Sequence, residues 1–195
     1  MGYREIFGCL SVIASLGLFF PYIISIYRKS FKPHSFSWFI WGLTQGIVYF
    51  AQLVSNAGPG AWATGVSSLG CFYVAILGIQ YGERNITRSD WISLCIALFT
   101  VPLWLAIHNP LYSVIILATI DTVGYYPTVR KSWIDPHHES IFAFSIGATS
   151  CVLSFLSLVS FAPVNWIEIV SMLIANCLLV AIIIFRRGIL SSSRH

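Results

Sequence analysis

Apolar residues fill this chain in seven runs separated by short polar breaks. The runs cover approximately residues 6–27, 36–54, 61–81, 91–107, 111–129, 140–160 and 164–186. Each is near the ~20 residues needed to cross a hydrocarbon core of roughly 30 Å, so the pattern predicts seven transmembrane helices, the fourth being the shortest. The breaks read RKSFKPHS, SNAGPG, GERNITRSD, HNP, RKSWIDPHHE and FAPV. They are rich in turn formers or charge and leave no room for an extramembrane domain. Trp62, Trp91, Trp133 and Trp166 fall at predicted helix ends, where indole favours the interface.

The basic residues orient this pattern. Arg28, Lys29 and Lys32 follow the first run, Arg84 and Arg88 the third, Arg130 and Lys131 the fifth, and Arg186, Arg187 and Arg194 the seventh; Arg4 alone lies on the other side. The positive-inside rule then puts the N-terminus outside and the C-terminus in the cytoplasm. With 57% hydrophobic and 9% charged residues, the composition excludes an ordinary soluble domain, which carries roughly 25% charged residues. The net charge of +4 reflects this one-sided placement and implies no nucleic-acid partner. The first run shows no small-residue cleavage signature and is read as a retained helix. Cys9, Cys71, Cys95, Cys151 and Cys177 all fall in predicted spans without metal-ligand spacing. They are expected to be small buried hydrophobes, with no metal or cofactor implied. The sequon Asn85-Ile86-Thr87 lies in a predicted cytoplasmic loop and is discounted.

The chain also reads as one unit used twice. Pro21 and Pro127 are 106 positions apart, and the same offset lays Val74-Ala75 over Val180-Ala181. After a one-residue skip, Gly42 and Gly147 correspond at 105. The expected organisation is a first three-helix repeat over 1–82, a linker helix over 83–109, and a second repeat with a short basic tail over 110–195. The two repeats would be parallel about the membrane normal, in a 3+1+3 arrangement.

Asp121 sits ten residues into the run that begins at Leu111, and no Lys or Arg lies inside any span to neutralise it. A charge at that depth is a functional-site hypothesis. Two roles are open to it: proton exchange, or binding of a cationic group on a substrate. At the same depth lie Ser15, Gln45, Thr122, Thr149, Ser150 and Asn176, expected to face inward as one polar layer. Trp41 and Tyr49 are one turn either side of Gln45 and could stack on a sugar or planar ring. For a single Ser or Thr, a hydrogen bond to a neighbouring helix is the competing explanation, and for Gly42 and Gly46 close helix packing is. His137 and His138 read as solvated loop residues. With one acid, no paired carboxylate and no serine–histidine set within the spans, an enzyme is not expected.

Pro21 with Ile23, Arg28-Lys29-Ser30 and Ser35/Ser37 in the first half, and Pro127-Thr128-Val129, Lys131, Trp133 and Ser140 in the second, resemble the superfamily of PQ-loop proteins and SWEET or SemiSWEET facilitators. Neither half carries the Pro-Gln dipeptide; the positions read Pro21-Tyr22 and Pro127-Thr128. The resemblance implies a path between two half-bundles, with Pro21 and Pro127 as hinges for alternating access. It also implies that Asn176 contacts substrate, with Gly70 at the matching place in the first half. The expected function is therefore transport of a small polar solute: a sugar, a nucleoside or vitamin, or an amino acid. The alternative is a seven-helix receptor that binds a ligand without moving it. The expected partners are the solute and the lipid bilayer, with self-association left open. The expected location is a bacterial cytoplasmic membrane.

Overall fold

The first apolar run forms α1 (Tyr3–Tyr27), and its two faces invert the usual globular pattern. Its buried positions include Gly8, Ser11 and Ser15, whereas Ile6, Leu10, Ile13, Leu16 and Phe20 are exposed. A water-soluble protein does not leave so large an apolar stripe uncovered. In a bilayer the stripe meets acyl chains, and the small residues let helices approach closely. The computed structural model describes residues 2–29, 32–33, 35–82, 110–124 and 140–192, together with 129, 132–134, 136–138 and scattered positions between 88 and 106.

Among the described residues every regular element is helical. After α1 come α2 (Ser35–Val54), a 3₁₀ turn (Gly58–Ala61), α3 (Trp62–Tyr81), α4 (Pro110–Gly124), a second 3₁₀ turn (Pro136–His138), α5 (Ile141–Leu156) and α6 (Pro163–Ser192). Among the described residues three spans, Tyr3–Tyr27, Gly58–Tyr81 and Pro163–Leu190, are long and apolar enough to cross a membrane, and Ile141–Leu156 is a shorter apolar helix. The described structure is thus all-helical, with the character of a membrane protein. Of the expected linker helix over 83–109 only scattered positions between 88 and 106 are described, and the bend at Pro127 lies outside the described residues.

Two boundaries differ from the hydrophobic pattern. The sixth apolar run extends to about 160, but α5 stops at Leu156, where Ser157 N donates back to Leu153 and Ser154 carbonyls. Pro163 then starts α6 at a position where its missing N–H costs nothing. At the other end, α6 continues through Arg186 and Arg187 to Ser192, because charge ends a membrane span without ending a helix. α1 likewise runs unbroken through Pro21, and Ser25 Oγ donates to the Pro21 carbonyl at 2.8 Å.

The helices neighbour one another in a regular way. α3 packs against both α1 and α2, and α6 packs against both α4 and α5. Across the bundle, α1 meets α5 and α2 meets α4. Gly42 makes the α2–α3 contact: an added Cβ would stand 2.9 Å from the Phe72 ring, and Ser68 Oγ donates to the Gly42 carbonyl at 2.7 Å. Gly46, one turn on, faces Ser68, so the Gly-x-x-x-Gly pair is a packing surface. At one end of the bundle, Ala57 and Ala61 are fully enclosed with Leu158 and Ile169. There Val159 N donates to the Ala57 carbonyl, and Asn165 Nδ2 donates to Ser55 and Ser160 carbonyls, tying the α2–α3 connection to the α5–α6 connection.

Candidate functional site

The most polar place in the interior lies where α2, α4 and α6 meet. Asp121, on α4, is only 2% exposed. Thr44 Oγ1 donates to its Oδ1 at 2.7 Å and Gln45 Nε2 to its Oδ2 at 2.8 Å. The same Gln45 nitrogen donates at 2.9 Å to Oε1 of Glu168 on α6, also 2% exposed. One amide nitrogen thus stands between the two carboxyl groups. Glu168 Oε2 is enclosed without a donor. Neither acid has a basic side chain among its described partners. Apolar packing flanks the cluster: Ile47, Val48 and Leu117 along α2 and α4, and Ala51, Val114 and Val164 a turn further on.

The local reason for this geometry is helical register. Thr44 and Gln45 are adjacent on α2, so one reaches α4 directly while the other spans the gap between α4 and α6. Two carboxyl groups enclosed together are costly, since each loses hydration and the pair repels when both are ionised. The Gln45 amide offsets part of that cost by giving one hydrogen to each, which fixes the relative position of three helices.

The expectation of a lone acid without a paired carboxylate is therefore corrected: Glu168 is the second. It stands four residues inside the seventh apolar run. Depth along a run does not reveal that α6 tucks its first turns beneath α2. Thr44, Gln52 and Asn165 also belong to the buried polar set and were not singled out by the pattern.

The expected polar layer resolves into separate groups. Ser15 and Ser150 are both buried and pair across α1 and α5 at 3.0 Å, and Ser150 Oγ also reaches the Ser11 carbonyl at 2.9 Å. Asn176, 5% exposed, donates to the Met172 carbonyl and fills the space left by Gly147, with Oδ1 2.9 Å from where a Cβ would stand. Gly70, its counterpart, is occupied by the Phe19 ring. Thr149 is exposed, and its hydroxyl bonds the Ser145 carbonyl at 2.9 Å; Thr122 bonds Ala118 in the same way at 2.7 Å. Helical Thr satisfies its hydroxyl one turn back when no partner faces it. Trp41 stands edge-on to Trp38 with ring centroids 5.4 Å apart, and Tyr49 lies flat against Gly65, so both rings already pack against protein. Pro21 is an exposed residue of α1, and Pro127 lies outside the described residues.

Among the described residues, no three His, Cys, Asp or Glu side chains gather as a metal site. The cysteines are free; Cys71 is buried as expected, but Cys95 and Cys177 are exposed, where they would meet lipid rather than core. The chain matches no model of a known protein family, no curated protein and no solved structure.

Proposed function

We propose that this protein is a multi-pass membrane carrier for a small polar solute. In this reading, residues 1–82 and 110–195 form two parallel three-helix units joined by a linker helix, the N-terminus is outside, and the units exchange access to a site between α2, α4 and α6. The carrying observation is the enclosed Asp121–Gln45–Glu168 group at the junction of the two units. Intramembrane acids that no basic residue neutralises mark solute or ion pathways. The helix neighbours support the reading: α3 and α6 are central in their triplets, and the α1–α5 and α2–α4 contacts are the two that a twofold relation would exchange. The spread of Lys and Arg supports the orientation, and a bacterial cytoplasmic membrane is the setting that fits it.

Purified protein in liposomes, offered labelled sugars, nucleosides and amino acids, tests the proposal. One class should accumulate, and Asp121→Asn should slow its uptake about tenfold or more, the effect of losing roughly 1.4 kcal/mol. Saturable binding without flux would replace the carrier with a receptor.

A further inference from the structure

The amide of Gln45 is held at one end by both acids. Its Nε2 stands 2.8 Å from Asp121 Oδ2 and 2.9 Å from Glu168 Oε1. A carboxamide carries two hydrogens on nitrogen and none on oxygen, so two carboxyl oxygens around one terminal atom identify that atom as nitrogen. Turned over, the amide would set its oxygen against both acids. Asp121 and Glu168 therefore fix which way Gln45 points. With both nitrogen hydrogens engaged, what its side chain has left to offer is Oε1, an acceptor.

That oxygen is open. Among the described residues no donor reaches it, and it is not one of the enclosed, unmatched atoms, which include the neighbouring Glu168 Oε2. Thr44, Asp121 and Glu168 are buried, whereas Gln45 is half-buried. Trp41 and Ser37, one and two turns nearer the start of α2 on the same face, are half-buried as well, so a partly accessible strip runs from Gln45 to the beginning of the helix. The other seam offers no equivalent. Ser150, 105 positions after Gln45, is buried and bonded to Ser15 and to the Ser11 carbonyl. Two carboxyl groups drawing on the N–H side of an amide also enrich its oxygen, because linked hydrogen bonds polarise one another.

We propose that Gln45 Oε1 is the solute contact of this site and that the solute supplies it with a hydroxyl or N–H hydrogen, while Asp121 and Glu168 are positioning residues that do not touch the solute. The inference rests on the carrier reading and narrows it: the site selects a hydrogen-bond donor, not a positive charge.

The test has a labelling arm and an uptake arm. In a cysteine-free background, Gln45→Cys should react with a small, water-borne methanethiosulfonate at least about tenfold faster than Thr44→Cys, whose position is buried. Equally slow reaction at both would overturn the proposal. Should Gln45→Cys fail to fold, uptake into liposomes decides. Whichever of D-glucose, uridine and L-alanine accumulates should be carried at least about tenfold better than its fully O- or N-methylated form, the order expected when one hydrogen bond is lost. Tetramethylammonium, a cation with no hydrogen to donate, should not compete. Gln45→Met, similar in shape without an amide, should raise KM about tenfold, leave the maximal rate within about twofold and lose the preference for the donor-bearing form. Asp121→Asn, which lets the amide turn over, should lose that preference too, whereas Thr119→Val, at an exposed hydroxyl bonded within α4, should keep it. Equal uptake of the methylated form, or competition by tetramethylammonium, would overturn the contact and leave the carrier standing. No uptake of any of the three would remove the carrier and this contact with it.

Discussion

Ser15 on α1 and Ser150 on α5 hold their hydroxyl oxygens 3.0 Å apart, and this bond has a counterpart across the bundle. Asp121 lies 106 positions after Ser15, and Ser150 lies 105 after Gln45. Asp121 and Gln45 are themselves bonded, at 2.8 Å. The offsets that align Pro21 with Pro127 and Gly42 with Gly147 thus map one inter-triplet hydrogen bond onto the other. The positions match while the chemistry differs: two hydroxyls on one seam, an amide and an acid on the other.

That difference sets the expected energetics of the first seam. Ser15→Ala removes one hydroxyl–hydroxyl bond and should cost about 0.6 kcal/mol, the average for such bonds between membrane helices. Ser150→Leu, which adds bulk where α1 and α5 touch, should cost about 1–3 kcal/mol. Unfolding midpoints in detergent would separate the two; equal effects would mean that the seam is not closely packed.

On the second seam, Thr44→Val keeps the shape and deletes the donor to Asp121. A hydrogen bond within a folded protein contributes about 0.5–1.5 kcal/mol. The variant should lose stability in that range, whereas Thr149→Val, which alters a hydroxyl bonded within its own helix, should change little.

Helix packing gives a third expectation. Gly42→Ala brings a Cβ to 2.9 Å from the Phe72 ring and should destabilise by about 1–3 kcal/mol. Gly46→Ala meets only the Ser68 hydroxyl at 3.1 Å, which can rotate, so its loss should be smaller. Measured in parallel, the order of the two is the test.

Orientation can be read by labelling. Lys29 and Asn56 both cap helices with left-handed backbones, at φ 57° and 55°, and mark opposite ends of α2. In a cysteine-free background, Asn56→Cys should react with an impermeant maleimide from outside intact cells, and Lys29→Cys only after lysis. The reverse would invert the proposed topology.

The positions of the helices were legible in the sequence because acyl chains select on average hydropathy, which a run of about 20 residues reports directly. α1, α2, α3 and α6 begin within about three residues of their apolar runs. Facing was harder to read. Ser15, Ser150, Gln45 and Asn176 share depth with Thr149 and Thr122, yet azimuth about the helix axis decides which meet, and depth carries no information on azimuth. Glu168 lies close to the end of its apolar run, and only the helix that covers it shows that it is enclosed. Trp41, Gln45 and Tyr49 recur one turn apart along α2, but a stretch of about two turns spans more than one neighbour, and α3 claims Tyr49 through Gly65.

Joining two similar triplets in one polypeptide releases their contacts from having to be alike. Two serines can slide past each other and re-form with water at little loss, so that side behaves as a bearing. An amide gripping two acids resists the same displacement, so that side behaves as a latch. Rocking of one triplet against the other would then be lopsided, swinging about α1 and α5 while α2 and α4 part, and whatever engages the amide decides when the latch lets go.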